Sequence, residues 1–123
     1  MSDDLLDHAR DARTRAYCPY SEFSVGAALR TASGDVYTGA NIETITLTDT
    51  AHAEQVALHK AVFDGCREFD TLTISLSGDP TPPCGICRQS LAEFCDDSLG
   101  IVVDNLGEFT LGELLPARME SIE

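Results

Sequence analysis

Apolar positions recur along this chain with two alternating periods, and the changes of period mark its elements. Over residues 2–16, Leu5, Leu6, Ala9, Ala12 and Ala16 fall at helical spacing, which predicts an amphipathic helix broken by Tyr17-Cys18-Pro19. Phe23, Val25, Ala27 and Leu29 then alternate, so 23–31 reads as a half-buried strand. Ser33-Gly34-Asp35 is a turn, and Val36-Tyr37-Thr38 is the returning strand of a hairpin. Gly39-Ala40-Asn41-Ile42-Glu43 reads as a loop. Helical spacing returns with Val56, Ala57, Ala61 and Val62, predicting a helix over about 51–64. Leu72–Leu76 is a strand, and Asp79-Pro80-Thr81-Pro82-Pro83 is a rigid approach to a helix over about 85–95. Ile101-Val102-Val103 is a strand. A short strand over 109–111 runs into a brief helix over 111–115, and the tail after Pro116 is expected to be loose. Strand–helix alternation after a hairpin, with no repeat or linker, predicts one domain: a mixed sheet with helices packed against it.

Composition narrows the class. A chain of 123 residues has room for one modest core. It holds no apolar run of about 18 residues, so no transmembrane helix is expected, and its acidic start lacks the basic residues of a signal peptide. Five cysteines, an odd number, point to a reducing cytoplasm rather than a disulfide framework. Acids outnumber bases 21 to 8, for a net charge of −13, and Lys60 is the sole lysine. That balance opposes binding to nucleic acid and favours a small neutral substrate. Scattered acid with almost no lysine also suits a halophilic protein, because concentrated salt screens its self-repulsion.

The candidate chemistry lies in His52-Ala53-Glu54 and Pro83-Cys84-Gly85-Ile86-Cys87, which together read H-x-E followed by P-C-x-x-C. His52, Cys84 and Cys87 form a donor set for one tetrahedral zinc ion, with the fourth position left for water. Both segments stand at expected helix starts, where partial positive charge favours thiolate over thiol. Glu54 can lean over the open position, take a proton from water and return it, acting as general base and then general acid. C-x-x-C alone would also fit a redox pair or half of a structural zinc site. A structural site wants a fourth protein ligand, yet Cys18, Cys66, Cys95, His8 and His59 stand at no comparable spacing. The whole pattern is that of the zinc-dependent nucleobase deaminases.

With these pieces placed, the chain resembles the cytidine deaminase family in its small homotetrameric form, from about residue 5 to Pro116. Tyr17–Ala28, Gly39–Glu43, His52–Glu54 and Pro83–Gln89 carry the resemblance, with Leu114-Leu115-Pro116 a weaker fifth block. It implies a three-layer α/β sandwich over 1–123, with a mixed sheet of roughly five strands and helices on both faces. It implies one Zn²⁺ per subunit on His52, Cys84 and Cys87, with Glu54 as the catalytic residue. Asn41 and Glu43 resemble the pair that hydrogen-bonds the ribose hydroxyls, a task for which an amide and a carboxylate together offer donors and acceptors. Phe23 resembles the aromatic that stacks on the pyrimidine, and Ala53 the residue whose backbone contacts the base. The implied activity is hydrolysis of cytidine and deoxycytidine to uridine and deoxyuridine with ammonia, in cytoplasmic pyrimidine salvage.

The chain departs from that family's small form at several positions. Many members carry cysteine at His52 and arginine at Gln55. Three thiolates on Zn²⁺ leave a negative charge that an arginine offsets, whereas one imidazole and two thiolates leave none, so the two changes read as coupled. The His-Ala-Glu-Gln string is similar to that of the larger dimeric members. Leu47 stands where many have tyrosine, Pro82 where serine is common, and no phenylalanine follows Pro116. These changes leave room for another cytosine-bearing nucleoside, such as a nucleoside antibiotic. A non-catalytic zinc-stabilised binding module is opposed by Glu54, and a polynucleotide deaminase by the acidity. The halophilic reading predicts a thermal unfolding midpoint that rises from low to multimolar salt; equal midpoints at both would exclude it.

Overall fold

The structure, a computed structural model, describes residues 2–117 and 119. Its elements run α1 (Ser2–Arg13), β1 (Val25–Thr31), β2 (Val36–Ala40), α2 (Ala53–Phe63), β3 (Phe69–Leu76), α3 (Gly85–Ala92), β4 (Gly100–Val103), β5 (Gly107–Thr110) and α4 (Leu111–Leu114). The strands form one sheet in the order β2-β1-β3-β4-β5. β3 and β4 are parallel and every other pair is antiparallel, so the sheet is mixed and five-stranded, as expected.

Strand alternation gives each face of the sheet its own helical layer. Leu5 and Ala9 of α1 pack with Ala28 of β1 on one face. On the other, Ala27, Leu29, Leu72, Ile74, Ile101 and Val103 meet Ala57, Leu58 and Ala61 of α2 and Leu91 of α3 in the main core. Two glycines bring helix and sheet backbones into contact. A Cβ on Gly26 would lie 2.1 Å from the Ala9 carbonyl oxygen, and one on Gly39 would lie 2.4 Å from that of Ala53. Gly39 thus lets α2, and the site at its start, sit close against β2.

Element boundaries differ from the periodicity in instructive places. The first helix stops at Arg13 instead of 16, because Thr14, Arg15 and Ala16 bond three residues back and the Thr14 hydroxyl donates to the Asp11 carbonyl at 2.7 Å. β1 starts at Val25, leaving Phe23 in the preceding loop, and β2 continues to Ala40, into the expected loop. β3 begins three residues early, at Phe69, where Arg30 of β1 reaches Asp70 at 2.9 Å. α2 runs over 53–63 and α3 ends at Ala92. The last strand starts at Gly107 and yields at Leu111 to α4, which Thr110 and Glu113 cap reciprocally. A single 3-10 turn at Leu47–Asp49 had no counterpart in the periodicity. The expected loose tail falls largely on residues 118 and 120–123, outside those described. Among the described residues, no helix is long and apolar enough to cross a membrane.

A partly exposed polar link ties α1 to the turn after β4. Arg10 donates from Nε and Nη2 to both oxygens of Asp104, at 2.9 and 2.8 Å. The Ser75 hydroxyl donates to the same carboxylate at 2.9 Å, and Arg13 donates to Ser75 Oγ at 3.3 Å and to the Leu76 carbonyl at 2.7 Å. The hydrogen bond from Arg10 holds the Asp104 carboxyl below its ordinary range, against the cost of burial. A folded-state value below the unfolded one gives stability that is present above about pH 4 and lost as pH falls. Asp104→Asn should therefore be less stable at neutral pH and lose less stability between about pH 5 and pH 2 than the parent. Parallel acid limbs in denaturant titrations would contradict this.

Candidate metal centre and active site

His52 and Cys84 are the N-cap residues of α2 and α3, and Cys87 lies in the first turn of α3. The two helix starts come together at the end of β3, the central strand. His52 Nδ1 lies 3.4 Å from the Sγ of Cys84 and 3.4 Å from the Sγ of Cys87. All three ligand atoms lie within 4.8 Å of one another, with Cys87 buried and Cys84 exposed. Zinc–nitrogen and zinc–sulfur bonds of ~2.0 and ~2.3 Å at a tetrahedral angle separate the two ligand atoms by about 3.5 Å. The spacing and the donor set, one imidazole and two thiols, both fit Zn²⁺.

The protein does not favour this cluster without a cation. Burial, then the nearby Glu54 and Cys84, push the Cys87 thiol well above its ordinary range. Burial also raises the Glu54 carboxyl, while its own backbone, His52 and Cys87 work the other way. A divalent ion between the sulfurs inverts that cost and lets the thiols ionise. The helix starts add partial positive charge on the same side. Gln55 has a role that sequence reasoning did not assign: its Oε1 accepts from the His52 backbone N–H at 3.1 Å. It caps α2 and fixes the peptide unit before the histidine.

The cluster opens onto a cavity of about 330 Å³, in the range of small-molecule sites. Phe23, Asn41, Glu43, Ala53 and Glu54 line it together with His52 and Cys84, and Ile74 and Leu76 at the end of β3 form an apolar wall. Every residue expected from the sequence therefore borders one space, except Cys87, which sits behind it. Ser21, Thr50, Thr81 and Pro82 also line the cavity and were missed as lining residues. Gly78, which supports Phe23, was also missed: a Cβ there would lie 2.6 Å from Phe23 Cε1, so only glycine lets the ring lie against this turn. The Leu47 side chain lies outside what is described.

Asn41 and Glu43 shape the loop that carries Phe23. Asn41 Oδ1 accepts from the Val25 N–H at 2.9 Å, and its Nδ2 donates to the Phe23 carbonyl at 2.8 Å. Glu43 Oε1 accepts from the N–H groups of Tyr20 and Ser21, and Oε2 accepts from the Ser21 hydroxyl. The Ser21 hydroxyl, more than the backbone donors, holds the Glu43 carboxyl below its ordinary range. Glu22 in this loop takes a left-handed φ of 57°, a reversal that turns the chain before Phe23.

Comparison with known proteins places this arrangement. The sequence model for the "Cytidine and deoxycytidylate deaminase zinc-binding region" matches residues 1–103. A cytidine deaminase of Sporosarcina psychrophila is 44% identical over 117 residues, covering 91% of this chain and 86% of that one. One of Halalkalibacterium halodurans is 44% identical over 119 residues, covering 91% and 89%. The crystal structure of cytidine deaminase from Burkholderia pseudomallei superposes with a TM-score of 0.92 at 35% identity, over 97% of this chain and 99% of that one.

The hydrogen bonds of Asn41 generate a further expectation. Asn41→Ala leaves the Val25 N–H and the Phe23 carbonyl without their side-chain partners, and should cost about 1–3 kcal/mol of stability while speeding proteolysis within residues 17–24. An unchanged unfolding midpoint and cleavage rate would show that the loop does not depend on this side chain.

Proposed function

The chain belongs to the cytidine and deoxycytidylate deaminase family, and from that premise we propose that it hydrolyses cytidine and deoxycytidine to uridine and deoxyuridine with release of ammonia. The observation that carries the reading is a carboxylate and a one-histidine, two-cysteine cluster opening on the same cavity. Zinc, when bound by His52, Cys84 and Cys87, supplies Lewis acidity and lowers the pKa of a coordinated water from ~16 toward ~7. The protein's own groups do the rest.

Glu54 takes one proton of the attacking water and hands it to N3 of the pyrimidine as oxygen adds at C4. It then takes the second proton, from the hydroxyl now on C4, and delivers it to the amine as the C–N bond breaks and the C4 carbonyl forms, so one carboxyl group acts as base and acid. Phe23 stacks on the ring, the Ala53 backbone contacts the base, and Asn41 and Glu43 meet the ribose hydroxyls. Glu43 keeps an acceptor site on Oε2 for a hydroxyl after its bonds to the loop are made. Its charge disfavours a 5′-phosphate, which makes the substrate a nucleoside rather than a nucleotide. A homotetramer acting in cytoplasmic pyrimidine salvage is part of the same proposal, as is adaptation to salt, supported by the net charge of −13.

Glu54→Gln keeps the shape of the site and removes the proton carrier. It should retain one zinc per subunit and lose at least about a thousandfold in kcat on cytidine, followed by the loss of ultraviolet absorbance with release of ammonia. Substantial residual turnover would remove Glu54 from the proton path. A zinc-loaded parent inactive on cytidine at every salt concentration would remove this substrate.

A further inference from the structure

Cys84 and Cys87 reach the same point from unlike surroundings. Cys87 is 1% exposed, and packing fixes its side chain. Cys84 is exposed, so its thiol keeps a direction only if the backbone beneath it is held. Its φ of −69° and ψ of 170° set the peptide units on either side of its Cα relative to one another.

Arg88 holds both of those units. Its backbone N–H donates to the Cys84 carbonyl at 3.0 Å, as the α-helix requires. Its Nε donates to the Pro83 carbonyl at 2.6 Å, on the other side of the cysteine. The same guanidinium is anchored at a third point, where Nη1 donates to the Leu114 carbonyl at 2.6 Å, at the end of α4. A planar group with donors on separate nitrogens can satisfy two carbonyls at once, which an ammonium on a flexible stem does poorly. The mechanism proposed above makes no use of Arg88.

We infer that Arg88 is a positioning residue for the metal centre: it clamps the peptide units flanking Cys84 to each other and to α4, and so aims the exposed thiolate at the point shared with His52 and Cys87. The inference rests on the reading that these three residues hold zinc. Losing the clamp leaves His52 and Cys87 in place and frees Cys84 to turn away, so it acts first on metal retention and only through that on turnover.

The test is zinc release from the intact holoenzyme to a coloured chelator, with circular dichroism of each variant and the thiolate-to-cobalt band of the Co²⁺-substituted protein. Arg88→Lys should weaken zinc binding about tenfold and Arg88→Ala up to about a hundredfold, the range for residues that orient metal ligands, with a weakened cobalt band and an unchanged fold. Arg67→Ala is the control. Arg67 also donates to two backbone carbonyls, those of Val62 and Cys66, but far along the chain from either cysteine ligand. It should leave zinc release at the parent rate. Folded Arg88 variants with parental zinc release and cobalt spectrum would overturn the inference, as would an Arg67→Ala effect of equal size. If Arg88→Ala does not fold, Arg88→Lys carries the test alone. A parent that takes up no zinc would overturn the metal-centre reading instead.

Discussion

Two thiols and a carboxyl group converge at the end of β3, and the site is organised around the charge they carry when ionised. Burial raises both the Cys87 thiol and the Glu54 carboxyl, and the neighbouring Glu54 and Cys84 push Cys87 further in the same direction. The fold answers with two helix starts aimed at one point, each bringing unpaired backbone N–H groups. A divalent cation supplies what the helices cannot. The site is therefore an anionic cluster completed by its metal, on a chain whose overall charge is also negative.

Precision at that point comes from the first turn of each helix. The peptide before His52 is held by the Gln55 side chain, and the one after it by the N–H of Val56, which donates to the His52 carbonyl at 2.9 Å. The parallel arrangement at Cys84 uses a longer side chain, Arg88, whose Nε donates to the Pro83 carbonyl at 2.6 Å. Gly39 completes the arrangement by letting α2 approach the sheet at backbone distance. The layers then offer Ile74 and Leu76 as the wall on which the cavity rests.

The metal-site residues were legible in the sequence because coordination demands particular atoms at short spacings, and H-x-E and C-x-x-C are spacings that helix starts provide. The layered sheet was legible because larger apolar residues alternate with smaller or polar ones along β1 and the middle of β3, although both faces of these strands are buried. What was hidden depends on contacts between distant segments. The Phe69-Asp70-Thr71 stretch shows no alternation and becomes strand through pairing with β1. Leu47–Asp49 forms a 3-10 turn in a threonine-rich stretch whose local alternation of threonine and apolar residues gives no sign of a turn. Asn41 and Glu43 could be picked out, but their bonds to Tyr20, Ser21, Phe23 and Val25 exist only once the loop has closed over them. The closeness of Gly78 to Phe23, and the reach of Arg88 to Leu114, leave no local mark. Gln55 had been read through charge alone, and its capping bond adds a mechanical reason for an amide at that position.

The fork between Arg10 and Asp104 joins residues 94 positions apart. During synthesis the first helix leaves the ribosome long before the aspartate is made. Its apolar stripe can settle on β1 soon after that strand emerges, but Arg10 has no carboxylate to meet until β4 and the turn beyond it are complete. The first element of the nascent chain is thus one whose last side-chain contact waits for a residue made 94 positions later.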